Sequence, residues 1–425
     1  MASFFIPLTG LEADSTSLNT IANDLANMST TAFKGQSANF SDLFYQQIGS
    51  AGSGDPLQVG AGTQVASIST DFTQGSINST GSSTDVALNG NGFFVVNNGG
   101  VSEYTRAGNF SLNSSGGLIT QSGQSVMGYP AVNGVVNTNS PLTPISIPVG
   151  QVEPPNATTT MAMTANLNAT SAAGATFPGQ VTIYDSLGVS HVATVTYTQT
   201  STNTWGYSVA LPASDFTSGT STPVTGTMTF DASGNLTTVT PTGGAAQTVG
   251  TAVGDISQIP VAFTGLADGA SNLNIQWNLL GTSGTPTISQ VAASSAVSAT
   301  SQNGYESGQY QSFTIGSDGT VSATFSNGQQ MAVGQVALAN VTNVQGLRML
   351  GDGNYATTMA SGAASVGTSG TAGLGTLQDG ALEESNVNIS AEFSNLIIAQ
   401  RAFEANSKAV TTFDTVTQET INMIH

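Results

Sequence analysis

Residues 382–423 read LEESNVNISAEFSNLIIAQRAFEANSKAVTTFDTVTQETINM, and the spacing of their apolar side chains decides the architecture. Leu382, Ile389, Leu396, Phe403 and Val410 recur every seven residues; Thr417 is the polar member of the series and Ile424 continues it. Phe393, Ile397 and Phe413 widen the stripe. A seven-residue apolar repeat keeps one face of an α-helix apolar. Neither Gly nor Pro occurs from Ala381 to His425, so nothing local stops a helix over Ile389–Ile424. At about 1.5 Å per residue it would run roughly 54 Å. An apolar stripe of that length needs a cover: its own domain, a helix from the other end of the chain, or neighbouring subunits. Glu404 and Lys408 stand in the favourable order for an i,i+4 ion pair.

The other end of the chain answers the same description. Phe4, Leu11, Leu18 and Leu25 recur every seven residues, joined by Ile21 and Met28. Pro7 suits a helix start, and MSTTAFKG (28–35) reads as the exit. Between the two ends the period changes to two. VTIYDSLGVSHVATVTYTQ (181–199) and TGTMTFDASGNLTTVT (225–240) alternate apolar and polar residues on both sides of a Gly-containing turn. One spacing recurs three times: Phe110, Leu112, Gly116, Leu118; Met228, Phe230, Gly234, Leu236; Phe313, Ile315, Gly319, Val321. Two strand residues, a turn closing on glycine and a return strand describe a hairpin whose glycine supplies φ > 0.

Gly-rich 46–64 reads as a loop or extended connector, 148–158 as a linker between β-domains, and SGAASVGTSGTAGLG (361–375) as a second connector. The order is helix, connector, β, connector, helix. The fold class expected is mixed but mainly β. Several β-domains stand in line with a coiled-coil-like helical domain formed by both termini. The expected parts are a terminal helical domain (1–30 and 382–425), connectors (31–75 and 361–381), a first β-domain (76–150 and 305–360) and an inserted outer β-domain (151–304).

Composition narrows the partners. The 425 residues hold five Lys and Arg against 24 Asp and Glu, a net charge of −19, and only 7% are charged. Nothing so short of cations could neutralise a nucleic-acid backbone, and anionic membrane surfaces are disfavoured for the same reason. No apolar run approaches the length of a transmembrane helix. The absence of cysteine removes disulfides, thiolate metal sites and thiol nucleophiles. The start of the chain lacks a basic region and carries Glu12 and Asp14 early, a poor cleavable secretion signal.

No constellation of residues points to catalysis or to a cofactor. LNGNGFF (88–94) runs into strand-like FFVV rather than the helix a phosphate-binding loop requires. Asp185, Asp231 and Asp318 sit in turn sequences and are expected to accept local backbone hydrogen bonds. Glu383 and Glu384 point to different sides of a helix and suit its N-terminal dipole. His191, inside an alternating strand, is expected to be satisfied or solvent-facing, with no metal or base role.

Four blocks carry a resemblance. LTGLEADSTSLNTIANDLANMSTTAFKG (8–35) and the 382–423 stretch resemble the N- and C-terminal signatures of the bacterial flagellar rod and hook axial proteins. DFTQGSINSTGSSTDVALNGNGFFVV (71–96) and YTRAGNFSLNSSGGLITQSGQSVMGYP (104–130) are similar to further blocks of that family. The likeness covers about 1–150 and 305–425. The length and the 151–304 insert are those of the hook-type members rather than the shorter rod proteins.

The resemblance implies a helical tubular polymer of identical subunits, a flexible joint between rotary motor and filament. It implies export through the flagellar apparatus without a cleaved signal. It also implies contacts with distal rod, hook cap and hook–filament junction proteins, and no cofactor. The polymer interface expected is the pair of stripes: Leu11, Leu18, Ile21, Leu25 and Met28 with Ile389, Phe393, Leu396, Ile397, Phe403, Val410 and Phe413. The cations at the chain ends are expected to meet acidic neighbours there.

Overall fold

The structure is a computed structural model that describes residues 2–50 and 56–423. It confirms the mixed, mainly β class, with one long helix at each end. The chain divides into two compact units. The first comprises 1–149, 312–324 and 330–425; the second comprises 150–311 and 325–329. The side chain of Phe4, residues 51–55, Ile424 and His425 lie outside what is described.

In the first unit, helix α1 (Ala2–Ala26) packs against helix α2 (Ile389–Met423). Helix α2 starts where Asn388 caps it: the Asn388 Oδ1 accepts from the Ala391 N–H at 3.2 Å. Residues 381–383 are therefore not helical. They form a short strand paired with Ile77–Ser79, so Leu382 leaves the helical series that its spacing suggested. The structure also corrects the place of Pro7, which lies inside α1 rather than at its start. A proline there forfeits one i→i−4 bond. Pro7 is buried, so packing at that point offsets the loss.

The two helices run antiparallel and approach closely. A Cβ added at Gly10 would lie 2.7 Å from Asn406 Nδ2. The Asn406 amide donates to Asp14 Oδ2 at 2.8 Å. Within the stretch that reads as a Gly-rich connector, Gln46–Ser50 and Pro56–Val59 are strands. Gln36–Asp42 pairs with Thr63–Thr70, and Gln46–Ser50 with Pro56–Val59. Glycine lowers strand propensity, but cross-strand pairing overrides it here.

The β-sheet of the first unit runs, in spatial order, Thr320–Phe325, Gln330–Val336, Ser125–Val132, Phe93–Asn98, Val101–Thr105, Asn354–Ala356 and Arg348–Gly351. Segments distant in sequence are thus neighbours. Residues 361–381 are not a free connector either: Thr376–Asp379 pairs with Val86–Asn89.

The second unit is built from two sheets. A meander runs through Thr176–Tyr184, Ser190–Ser201, Thr204–Ala210, Val224–Phe230, Leu236–Pro241 and Gln247–Thr248. The other sheet centres on Thr160–Asn168, with Leu273–Asn278, Ile288–Val291 and Ala296–Gln302 beside it and Gln258–Phe263 outside. Inward residues of both share one core, in which Tyr207 and Trp277 meet edge-to-face at 5.7 Å. The recurrent turn spacing is a real structural unit. Gly116, Gly234 and Gly319 all adopt positive φ, and each donates its N–H to the carbonyl three residues earlier. Asp185, Asp231 and Asp318 do accept turn N–H groups, as their sequences suggest.

Candidate assembly interface at the chain ends

The apolar stripes of the two helices divide into an inner and an outer set. On α1, Ile21 is buried, Leu11, Leu18 and Leu25 are half-buried, and Met28, just past the helix end, is exposed. On α2, Ala399 is buried, and Leu396, Phe403 and Val410 are half-buried. Ile389, Phe393 (53% exposed) and Ile397 (58% exposed) face away, with Ile398 at 67%; Phe413, two heptads on from Ala399 and so on the inner face, is exposed beyond the helix contact. The small residues Ala399 and Ala402 sit with Asp14, Ser17, Thr20 and Ile21 around the helix contact. The heptad residues flank that contact. From Thr411 to Met423 every residue is exposed, because antiparallel α1 has run out. Within one chain, then, the outer apolar row of α2 has no cover. Glu404 pairs with Arg401 at 3.3 Å, in place of the Lys408 partner that the spacing suggested.

A buried charge cluster fixes the helices to the sheet. Glu383 lies in the short strand before α2, not at a helix N-terminus as its sequence context suggested. Its two oxygens bind Lys34 Nζ at 2.6 Å and Arg106 Nε at 3.2 Å. The Gly75 N–H donates to the same carboxylate at 2.9 Å. Lys34 also donates to the Thr73 carbonyl at 2.7 Å, and Arg106 to the carbonyls of Gly90 and Gly92 at 2.7 and 2.8 Å. Burial pulls the Lys34 pKa below its ordinary value, against the opposing pull of Glu383. Two of the five cations are thus enclosed on one carboxylate. Asn386 completes the clasp, accepting from the Gly35 N–H at 2.8 Å and donating to the Asp71 carbonyl at 2.8 Å.

Asp24, on the buried side of α1, accepts from the Gln36 N–H at 2.7 Å. Its other oxygen has no hydrogen-bond partner among the described residues. Burial, reinforced by nearby Glu392, pushes its pKa up to about 6. The folded carboxyl therefore holds its proton more tightly than the unfolded one, whose ordinary value is 3.8. Stability from this group is present below the unfolded value and is lost as pH rises through about 6. Helix melting followed by circular dichroism is expected to show a falling midpoint between pH 4 and 7. Asp24→Asn should flatten that slope; an unchanged slope would remove Asp24 as its source.

Of the two outcomes expected for His191, the structure shows the satisfied one, with partners that the sequence did not indicate. His191 is neither solvent-facing nor isolated: its ring is buried, with Nδ1 2.8 Å from Asp215 Oδ2 and Nε2 3.3 Å from Asp185 Oδ2. Neither Asp215 nor Asp268, which approaches the same ring, carries a sequence signal, because both are brought in by loops far along the chain. No helix among the described residues is long and apolar enough to cross a membrane.

Comparison with known proteins places these features. Residues 87–166 match the family model described as the flagellar hook protein FlgE/F/G D1 domain. Residues 154–305 match the flagellar basal body protein FlaE D2 domain, and 378–423 the C-terminal region of the flagellar basal body rod FlgEFG proteins. The flagellar hook protein FlgE of Salmonella typhimurium is 34% identical across 99% of this chain and 100% of its own length. That of Borreliella burgdorferi is 33% identical across 100% of this chain and 99% of its own. The crystal structure of Helicobacter pylori flagellar hook protein FlgE2 shares the fold, with a TM-score of 0.52 over 72% of this chain and 99% of that one at 15% identity. With such identity sustained over nearly the whole of both sequences, the chain belongs to the flagellar hook protein FlgE family.

Proposed function

We propose that the chain is a non-catalytic structural subunit that polymerises through its terminal helices into the flexible tube of the bacterial flagellar hook, the joint that carries motor torque to the filament. The observation that carries this reading is the outer apolar row of α2, Ile389, Phe393 and Ile397, left uncovered on a helix whose inner face is already paired with α1. A second copy is the partner that supplies a matching apolar stripe. Each Ile or Phe so buried contributes roughly 1.5–3 kcal/mol. We further propose export through the flagellar apparatus without cleavage, contact with the distal rod, hook cap and hook–filament junction proteins, and an extracellular position in the hook; likeness to flagellar hook proteins over the full length supports this reading. Purified protein under assembly conditions should form curved tubes in electron micrographs; persistently monomeric protein would count against the reading.

The β-units give such a tube a compliant exterior. Lys and Arg are absent from 150–311 and 325–329. Contacts made there rest on hydroxyls, amides and carboxylates, which exchange partners with water at small net energy. We place the outer domain in the second unit and treat it as separable from assembly. Its chain enters and leaves through the Asn156–Tyr305 bridge, whose N–H groups and carbonyls bond reciprocally at 3.0 Å. Replacing 157–304 by a short Gly-Ser linker is expected to leave a soluble chain that still assembles, into straight or mechanically altered tubes. Collapse of the remaining chain, seen as loss of its far-ultraviolet dichroism, would show that the boundary is misplaced.

A further inference from the structure

We propose that His191, Asp185 and Asp268, in the second unit, form a binding site for a divalent transition-metal ion of the zinc type. Nε2 of His191 and one carboxylate oxygen of each aspartate lie within 4.8 Å of one another. The hairpin made by Thr176–Tyr184 and Ser190–Ser201 supplies Asp185 and His191. Asp268 comes from the loop between Gln258–Phe263 and Leu273–Asn278.

The distances suit a metal site as well as an ion pair. On one side of the ring, Nδ1 lies 2.8 Å from Asp215 Oδ2, the length of a charge-assisted hydrogen bond. On the other, Nε2 is 3.3 Å from Asp185 Oδ2 and 3.7 Å from Asp268 Oδ2. A proton shared on that side would draw the atoms to about 2.7–2.9 Å. Tetrahedral ligands at about 2.0–2.1 Å from a zinc ion stand about 3.3–3.4 Å apart.

The imidazole is oriented as a ligand. With the ring neutral and its Nδ1–H given to Asp215, the Nε2 lone pair would lie toward the two other carboxylates. A carboxylate behind the ring is the usual support of a metal-bound histidine. The aspartates are held in the same way. Asp185 Oδ1 accepts from the Leu187 and Val189 N–H groups at 2.8 and 2.9 Å, and Asp268 Oδ1 from the Ala270 N–H at 3.0 Å. Each presents its remaining oxygen to the common point.

Charge points the same way. Three carboxylates surround one ring in a unit that contains neither Lys nor Arg. Among the side chains of that unit, only the imidazole could carry a positive charge there. A mixed nitrogen and oxygen ligand set suits zinc, or cobalt and nickel, better than magnesium or calcium, which favour all-oxygen shells. Asp268 remains about a quarter exposed, so the ion has a path from solvent and a fourth position open to water. Bound there, it would tie the meander to the loop of the second sheet and stabilise the unit by its binding energy.

The test uses the full-length, chelator-treated protein. Both tryptophans of the chain, Trp205 and Trp277, are buried in this unit, so their fluorescence reports its melting alone. Zinc chloride is expected to bind with a stoichiometry of one by calorimetry and to raise the tryptophan-reported midpoint, while magnesium chloride does neither. Asp268→Asn, at a partly exposed loop position, should keep the fold and abolish both effects; His191→Ala should do the same. Asp215→Asn should weaken binding about 10–100-fold, as loss of a supporting carboxylate does. Absence of stoichiometric binding, binding undiminished in Asp268→Asn, or a midpoint that responds to pH but not to zinc would each overturn the proposal. The last outcome would leave a protonated histidine clasp only.

Discussion

Replacing Glu383 by alanine is expected to destabilise the first unit by about 3–5 kcal/mol, the usual cost of removing one partner from a buried ion cluster. The side chains of Lys34 and Glu383 are fully buried, and that of Arg106 nearly so. Without the carboxylate, two cations remain in a site where, among the described residues, the carbonyls of Thr73, Gly90 and Gly92 are the other acceptors they bond. Those dipoles cannot balance a charge of +2 in poorly solvated surroundings. The Gly75 N–H would lose its acceptor as well. Lys34→Met should cost less, because Glu383 keeps Arg106 and the remaining pair is neutral. Replacing all three together by apolar residues of similar volume should be milder than Glu383→Ala, since it removes the desolvated charges along with their attraction. Urea unfolding followed by far-ultraviolet dichroism measures the loss, and the tryptophan signal of the second unit serves as an internal control. A loss below about 1 kcal/mol, the range of an exposed pair, would show that the cluster is not desolvated as described.

The second large effect is on assembly. Phe393→Asp and Ile397→Asp should abolish tube formation while leaving the single chain folded. Both side chains are more than half exposed in the chain by itself, so a carboxylate there meets water. In the proposed polymer the same carboxylate would be buried without a partner. It would cost several kcal/mol on top of the roughly 1.5–3 kcal/mol of apolar burial forgone. Leu396→Asp and Phe403→Asp are expected to disturb both states, because those residues are already half-buried against the chain's own helix contact. Thr417→Asp, exposed and already polar, should be mild. The exposed turns after Thr411 should become more resistant to melting on assembly, since helices take most of their stability from packing. Sedimentation under assembly conditions and dichroism of the unassembled chain separate the two effects. Normal tubes from Ile397→Asp would remove the outer row of α2 from the interface.

Local sequence determined what depends on neighbours a few residues apart. The seven-residue recurrence of Ile389, Leu396, Phe403 and Val410 is a property of one helix, and it located α2 without any tertiary knowledge. The Gly116, Gly234 and Gly319 spacings state a backbone requirement, a positive φ at a fixed distance from a strand, so the hairpins were legible too. Even there local reading had limits. Pro7 argues against a helix interior and Gly49 against a strand; burial at Pro7 and cross-strand pairing of Gly49 with Leu57 outweighed preferences of about a kcal/mol or a few.

The charge chemistry was decided by the tertiary structure alone. Glu383 reads as a helix-start carboxylate because its context is a helical stripe. It became a strand residue facing Lys34 and Arg106 only when Ala381–Glu383 paired with Ile77–Ser79, some 300 positions earlier. His191 reads as a lone histidine because its partners are reached by folding, not by spacing. Asp185 sits across one tight turn, and Asp215 and Asp268 arrive from loops of other strands. Periodicity and turn chemistry describe the faces and bends of single elements. Which charged groups meet is set by sheet register and strand order, and these arise from the packing of elements that no local pattern connects.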